Sequence, residues 1–211
     1  MNKQETDILF RNSFFQETLE AIKALDLDLI LRVSNLLYEA KENNKNIFFF
    51  GNGGSHSIAS HFACDFGKGT KITGNQFQKY YKAFGLDNPA WLTAQANDGK
   101  EPFENTNYPG KYSHGYDGIF VGQMENFFQE GDIAFGISSS GNSQNVINAL
   151  LYAKEKRGIT IAMTGFDGGE AKKVADYSIH IPCEKGKYGL VEGVHEVVHH
   201  YLYENARRLE M

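Results

Sequence analysis

The sequence predicts a doubly wound α/β sandwich in which helices cover both faces of a five-stranded parallel sheet. Short apolar runs recur from Asn46 onward, and stretches with helical periodicity separate them. Strands that alternate with helices of this length form βαβ units, whose right-handed crossovers place helices on both sides of the sheet. The length of 211 residues fits a single domain, 1–211.

Residues 1–45 have a different pattern, which predicts a helical hairpin. Thr6 or Asp7 is the predicted cap of the first helix, and Asp26 or Asp28 is that of the second. The apolar residues at three- and four-residue steps are Leu9, Phe10, Phe14, Phe15, Leu19, Ile22, Leu29, Ile30, Val33, Leu36 and Leu37. This stripe is wide enough to cover the core and also to bury against another subunit, although core packing alone would explain it.

The core of the domain, 46–211, contains the predicted sheet and one inserted loop. Strands are expected at 47–50, 82–86, 132–137, 159–163 and 177–181, and helices near 55–66, 88–96, 117–129, 143–156, 168–175 and 191–209. Residues 99–114 interrupt the alternation with proline, glycine and many polar side chains. This insertion is either a solvent-exposed loop or a lid or inter-subunit arm.

Composition limits the partners of the chain. Its 21 Lys and Arg against 26 Asp and Glu give a net charge of −5, which argues against binding to nucleic acid or to an anionic membrane. A small anionic substrate is still possible. Cys64 and Cys183 form no CxxC pair, Met1–Arg11 lacks the pattern of a signal peptide, and no apolar run is long enough to span a membrane. A cytoplasmic protein is therefore expected.

Two segments share one design: a buried strand, a turn of small polar residues, and a helix. They are 50–57 (FGNGGSHS) and 137–143 (ISSSGNS). Helix N-terminal N–H groups and serine hydroxyls form an anion cradle, and the carboxyl ends of parallel strands are the usual ligand edge. A phosphate is the expected ligand, and helix capping is the alternative. Neither turn matches a dinucleotide or Walker motif, so no nucleotide cofactor is expected.

Ionisable side chains concentrate on two predicted helices. His61 and Asp65 are four residues apart, so both project from one helix face, where they could hold a divalent metal, place a base, or simply form a surface hydrogen bond. The last helix carries Glu192, His195, Glu196, His199 and His200. For that helix, metal ligation or acid–base chemistry competes with a solvated polar face.

These motifs together resemble a known family. The segments GNGGSH (51–56), GISSSGNSQNVINAL (136–150) and TGFDGG (164–169), with Glu192, His195 and His200, resemble the sugar isomerase (SIS) domain, and most closely the sedoheptulose 7-phosphate isomerases, also called phosphoheptose isomerases. The resemblance implies a flavodoxin-like SIS fold and a homotetramer with sites near subunit interfaces. It also implies isomerisation of a seven-carbon sugar phosphate through an enediol, for surface glycans that contain heptose.

The resemblance also assigns site residues. The implied substrate contacts are Asn52, Gly53, Ser55, Asp98, Ser138, Ser139, Ser140 and Ser143. The family's zinc ligands fall on His61, Asp65, Glu192 and His200, and the implied catalytic residues are Asp65, Glu192 and His200.

Two of these positions depart from the family, which has glutamate at 65 and glutamine at 192. Shortening glutamate to Asp65 withdraws the carboxylate by roughly 1.5 Å, a misplacement that can cost about a hundredfold in rate. Glu192 adds a carboxylate that could bind a metal or act as the base. The alternatives are an isomerase for another sugar phosphate, or a non-catalytic SIS protein such as the tetrameric regulator that binds the replication initiator DnaA.

The spacing of the implied ligands sets a geometric condition. Glu192 and His200 are separated by roughly 12 Å of rise on a straight helix. If both meet one ion, we expect an irregular helix or a site assembled from two chains.

Overall fold

The computed structural model describes residues 3–72, 74, 77–98, 112 and 114–210. One parallel sheet has the strand order β2-β1-β3-β4-β5. Its strands are β1 (Asn46–Gly51), β2 (Lys82–Gly85), β3 (Ile133–Ser138), β4 (Ile159–Phe166) and β5 (Tyr177–Pro182). The predicted fold class is confirmed, and each strand lies where the apolar runs predict it.

Helices flank both faces of this sheet. They are α1 (Lys3–Lys23), α2 (Leu27–Glu42), α3 (Gly54–Cys64), α4 (Pro89–Asp98), α5 (Ile119–Met124), α6 (Gln144–Glu155), α7 (Gly169–Val174) and α8 (Tyr188–Glu210). A π-helical turn, Asp65–Gly69, continues α3, and a 3-10 turn, Tyr116–Gly118, precedes α5. Among the described residues, none of the helices combines the length and the apolar character that crossing a membrane requires.

Strand β1 shows why the sheet is buried on both faces. Side chains alternate along a strand, so Phe49 packs with residues of α2, α3 and α8, whereas Phe48 and Phe50 pack with residues of α5 and α6. All three rings are almost fully buried, and each such burial contributes about 1.5–3 kcal/mol. A strand of three consecutive phenylalanines therefore requires helices on both sides.

Helix boundaries differ from the prediction at three places, one of which is the start of α8, at Tyr188 and not at Val191. Helix α1 begins at Lys3, so the predicted cap at Thr6 or Asp7 is wrong, whereas Asp26 caps α2 by accepting a 2.9 Å hydrogen bond from the Leu29 N–H. The helix predicted over 117–129 is reduced to a 3-10 turn and α5. It ends early because the chain turns at Met124 and brings the Phe128 ring to 5.5 Å from the Phe48 ring.

The predicted insertion at 99–114 lies outside the described residues except for Tyr112 and His114. The Tyr112 hydroxyl donates a 2.9 Å hydrogen bond to Glu155 near the end of α6.

Helices α3 and α8 run side by side in the same direction. Gly54 at the start of α3 lies against Glu192, and His61 contacts Glu196 further along. Beyond α3, the Tyr203 hydroxyl reaches the Gly69 carbonyl. We call this line of contact the α3/α8 seam. Both parts of the candidate functional site lie along this seam.

Candidate functional site

A cavity of about 160 Å³ lies at the carboxyl ends of the adjacent strands β1 and β3. Strand order reverses direction between these two strands, which is where doubly wound sheets bind ligands. We call this cavity the serine pocket. Its lining residues are Asn52, Ser55, Ile137, Ser138, Ser139, Ser140, Ser143, Tyr188 and Glu192.

The serine pocket is built mainly from uncharged hydrogen-bonding groups. Ser55 belongs to the first turn of α3 and Ser143 is the N-cap residue of α6, so the N-termini of two helices meet there. Ser138 Oγ accepts from the Gly141 N–H at 3.1 Å and donates to Ser143 Oγ at 3.2 Å. Gly141 has φ +65°, a backbone conformation that favours glycine in this turn. Unpaired helix N–H groups attract anions.

Ser139 is the most informative member of the pocket. Its side chain is buried, yet Oγ has no hydrogen-bond partner in the described part of the chain. Leaving a buried hydroxyl unpaired costs about 1–3 kcal/mol, so such groups are rarely left unpaired in native proteins. A ligand oxygen in the serine pocket could form the hydrogen bond that the Ser139 hydroxyl lacks.

Glu192 places one carboxylate at this pocket of otherwise neutral groups. Its carboxylate lies so close to Gly54 that a side chain at position 54 would displace it. Gly54 therefore makes room for Glu192 beside the N-terminus of α3. The pocket combines an anion cradle with a single acid.

Further along the α3/α8 seam, four side chains offer ligand atoms that all lie within 4.8 Å of one another. They are His61, Glu196, His199 and His200, and we call them the histidine cluster. Glu196 binds both His61 Nδ1, at 3.2 Å, and His199 Nδ1, at 2.9 Å. The His200 ring lies 5.3 Å from the His61 ring and 4.7 Å from the His199 ring.

Asp65 closes a ring of contacts with this cluster. Its Oδ2 lies 3.4 Å from His61 Nε2 and 3.2 Å from His199 Nε2. Two carboxylates therefore face the nitrogens of two imidazoles in four N···O contacts. Because a neutral imidazole carries one N–H, two of the four contacts lack a proton when both rings are neutral. Positive charge, such as that of a divalent cation, would stabilise this arrangement.

Burial shapes the protonation of the cluster. The side chain of His199 is fully buried against Phe62, and burial lowers the pKa of His199 despite the nearby Glu196 carboxylate. Burial alone would raise the pKa of Glu196, but hydrogen bonds from His199 and His61 lower it overall. The cluster thus holds an ionised carboxylate beside a neutral buried imidazole, which are the protonation states that metal binding requires.

The donor atoms of the cluster fit a zinc-type metal. Three imidazoles and a carboxylate are common zinc ligands. His199 Nε2 also has no hydrogen-bond partner in the described part of the chain, because the Asp65 contact is not aligned for one. An orphaned buried nitrogen beside converging donors is the observation that supports a metal there.

The structure divides the predicted site residues between the two regions. Asn52 and all five predicted serines line the serine pocket. His61 and His200 belong to the histidine cluster, with Asp65 in contact. Glu192 lies in the serine pocket and outside the cluster, on a continuous helix α8. Gly53 caps α3 with φ +56°, and Asp98 is the last residue of α4; neither lines the pocket.

His195 differs from the other histidines of α8 in its position and surroundings. It is fully buried, and burial lowers its pKa to about 4, so the ring is neutral at ordinary pH. It is outside both the serine pocket and the histidine cluster. His195 therefore lies in the core, where its ring faces the Thr164 backbone on β4.

The assignments implied by the family resemblance do not include Tyr188, Glu196 and His199, although Glu196 and His199 are among the ionisable candidates that the sequence offers on the last helix. Tyr188 at the start of α8 lines the serine pocket and carries no recognisable signal in the sequence. Glu196 and His199 form a Glu-x-x-His pair, a spacing that places both side chains on one helix face and recurs in helical metal sites. That spacing is the signal that could have identified them.

The chain is thus an α/β sandwich with a pocket of mainly uncharged hydrogen-bonding groups at its switch point and a cluster of ionisable groups beside it. The SIS domain family matches residues 93–198, and a second SIS domain family matches residues 12–77. A phosphoheptose isomerase of Glaesserella parasuis is 36% identical over 159 residues, which cover 74% of this chain and 72% of that relative. The chain belongs to the phosphoheptose isomerase family.

Solved structures agree with this assignment. The phosphoheptose isomerase of Neisseria gonorrhoeae has a TM-score of 0.78 at 26% identity, covering 97% of this chain and 98% of that one. That of Francisella tularensis has a TM-score of 0.78 at 23% identity, covering 99% of this chain and 100% of that one, and it supports the fold.

Proposed function

We propose that this protein is an aldose–ketose isomerase that interconverts sedoheptulose 7-phosphate and an aldoheptose 7-phosphate. The names of its relatives support the substrate. The observation that carries the proposal is the unpaired, buried Ser139 hydroxyl in a pocket of neutral anion donors, beside an acid–base cluster on the same seam.

The serine pocket would hold the phosphate. Serine hydroxyls and two helix N-termini supply donors without a lysine or arginine, and the cavity of about 160 Å³ accommodates a phosphate group. We assign phosphate and sugar contacts to the predicted residues that line it, and Gly53 and Asp98 remain predicted contacts. Binding energy gained at this end orients the reacting carbons at the other.

The distance between the two regions favours a long, open-chain sugar. Ser55 and His61 are six residues apart on α3, which corresponds to roughly 9 Å along the helix axis. With the phosphate in the serine pocket, an extended seven-carbon chain would bring its carbonyl end towards the histidine cluster. A three-carbon sugar phosphate would not reach that far.

Asp65 is our first candidate for the base, and Glu192 is the second. In the direction from ketose to aldose, the base takes a proton from C1 of the sugar and returns it to C2 through an enediol. His200, which is exposed at the cluster, would donate a proton to the oxygen on C2 and accept the one on the oxygen of C1. The contacts of Asp65 with His61 and His199 would hold its carboxylate in position.

We propose zinc as the metal of the cluster, held by His61, Glu196 and His199, with His200 beside them left for proton transfer. When bound, a divalent metal polarises a carbonyl group and stabilises the negative charge of an enediolate. Asp65 and Glu192, which the family resemblance includes among the ligands, are then left for proton transfer and substrate contact.

We also propose that the chain forms a homotetramer with its sites near subunit interfaces. Apolar side chains on α1 and at the start of α2 are exposed, among them Phe10, Phe15 and Leu27, which are 68, 68 and 70% exposed. Val197 and Tyr201, which are exposed on α8, flank His200 in sequence. Light scattering should give a tetramer for the unaltered chain and smaller species for Phe10→Glu.

The isomerase proposal is tested by incubation with sedoheptulose 7-phosphate in deuterated water, with and without a chelator. We expect solvent deuterium at C2 of the aldose product, and loss of this exchange in Asp65→Asn. Asp28→Asn, an exposed carboxylate on α2, is the matched control and should exchange normally. Binding of the sugar phosphate without any deuterium incorporation would contradict the isomerase and support a non-catalytic SIS protein.

A further inference from the structure

A pair of asparagine side chains bridges the two loops that form the serine pocket. Asn52 follows β1, and Asn145 lies in the first turn of α6, after β3. Asn52 Nδ2 donates to Asn145 Oδ1 at 2.8 Å, and Asn145 Nδ2 donates back to Asn52 Oδ1 at 3.0 Å. The pair therefore ties together the two loops at the switch point of the sheet.

The orientation of both amides follows from one backbone group. The Val146 N–H donates to Asn145 Oδ1 at 2.9 Å, so this atom must be the acceptor, and Nδ2 must be on the opposite side of the amide. Asn145 is only 1% exposed, so an incorrectly oriented amide would leave buried polar groups unpaired. Asn145 in turn fixes Asn52, whose Oδ1 faces the Asn145 donor.

The hydrogen bonds that Asn52 already forms leave one of its N–H groups for a ligand. Its Oδ1 accepts from Asn145 and, at 3.3 Å, from the Tyr116 hydroxyl, which occupies both acceptor positions. Its Nδ2 has two N–H groups and uses one on Asn145. Asn52 lines the serine pocket, so its second N–H is available to an oxygen of a ligand there. A flipped amide would instead present an oxygen, which repels an anion.

We propose that Asn145 is a positioning residue for anion binding: through the reciprocal amide pair, it makes Asn52 act as an N–H donor in the serine pocket and fixes the two loops relative to each other. This inference rests on the proposed function, because it requires a phosphate ligand in that pocket. Asn145 itself does not line the cavity and acts through Asn52.

The test is a double-mutant cycle of Asn52→Ala and Asn145→Ala. For each protein of the cycle, we would measure the dissociation constant of inorganic phosphate and the KM and kcat for sedoheptulose 7-phosphate. Each single variant should weaken phosphate binding and raise KM about tenfold, the effect of one hydrogen bond to a charged group, with little change in kcat. If Asn145 acts through Asn52, the double variant should show the same tenfold change and not a hundredfold one.

Asn148→Ala is the matched control. Asn148 is also on α6 and bonds the Asp117 carbonyl at 3.0 Å, but it does not line the pocket, so KM should stay unchanged. If Asn145→Ala fails to fold, Asn145→Ser replaces it, since the shorter hydroxyl cannot form the reciprocal pair with Asn52 and adds no charge beside the pocket.

The outcomes separate the two proposals. Normal phosphate affinity in the Asn145 variants, or additive effects in the double variant, would overturn the positioning role while the proposed function stands. If the unaltered protein binds neither phosphate nor the sugar phosphate, both proposals fall.

Discussion

The serine pocket and the histidine cluster lie on the same α3/α8 seam but differ in the chemistry of their side chains. The pocket uses hydroxyls, helix N-termini and one carboxylate, Glu192. The cluster uses imidazoles and carboxylates in close contact, with Glu196 at 2.9 Å from His199. Neutral donors bind an anion without depending on pH, whereas groups that exchange protons or hold a metal must be ionisable. In the proposed function, this difference separates the site that binds the phosphate from the site that carries out the proton transfers, along one pair of helices.

The largest expected effect tests whether the chemistry belongs to the cluster. We expect Asp65→Asn to lower turnover by about 10²–10⁴-fold, the usual contribution of a general base, while phosphate binding is retained. Asp28→Asn, which removes an exposed carboxylate on α2, provides the matched control and should retain turnover. Steady-state kinetics and phosphate titration measure the two quantities. Equal turnover in all three proteins would remove Asp65 from the reaction.

The next effect concerns the metal. Glu196→Gln removes the carboxylate that binds two histidines of the cluster, and we expect it to lower zinc affinity by at least about 100-fold, because even the loss of a group that only orients a ligand costs about 10–100-fold. Competition with a chromophoric chelator measures this without any assay of activity. Glu204→Gln, two turns further along α8 and paired with Arg207, should bind zinc normally. Unchanged affinity in Glu196→Gln would exclude Glu196 as a ligand.

A smaller effect is expected in the pocket. Ser139→Ala removes the unpaired hydroxyl, and we expect KM for the sugar phosphate to rise about tenfold with little change in kcat. The control is Ser57→Ala, an exposed serine on α3 that does not line the pocket. A fall in kcat with constant KM would contradict a role in binding the phosphate.

The smallest effect concerns the single acid of the pocket. Glu192→Gln removes a negative charge beside the anion site, so we expect phosphate to bind about threefold more tightly at low ionic strength and the gain to shrink with added salt. Phosphate titrations at two salt concentrations measure it. The same variant separates the two candidate bases, because turnover that survives in Glu192→Gln but not in Asp65→Asn assigns the base to Asp65.

Much of the fold follows from local patterns. The run Ile47 to Phe50 predicts a strand buried on both faces, and Asp26 marks the start of α2 by its capping chemistry. Each of the two turns of small polar residues follows a buried strand and opens a helix, as the local pattern predicts. These features depend on residues near one another in the chain, which is why the sequence reveals them.

The division of α8 between two regions could not be predicted in this way. Glu192 and Glu196 are four residues apart and share a helix face, so periodicity treats them alike. What separates them is the register of α3 against α8, which places Gly54 opposite Glu192 and His61 opposite Glu196. That register is set by tertiary packing between residues more than 130 positions apart. The early end of α5 has a similar cause in the Phe48–Phe128 contact.

Helix α1 has a consequence for how the protein should be handled. Of its 21 residues only Ala21 is buried within the chain, so contacts within the chain supply little of the free energy that holds this helix. If the proposed homotetramer supplies the remainder, the helicity of α1 and the melting temperature of the protein rise with protein concentration. Circular dichroism over a dilution series would then report subunit exchange directly, and a single melting temperature would describe one concentration only.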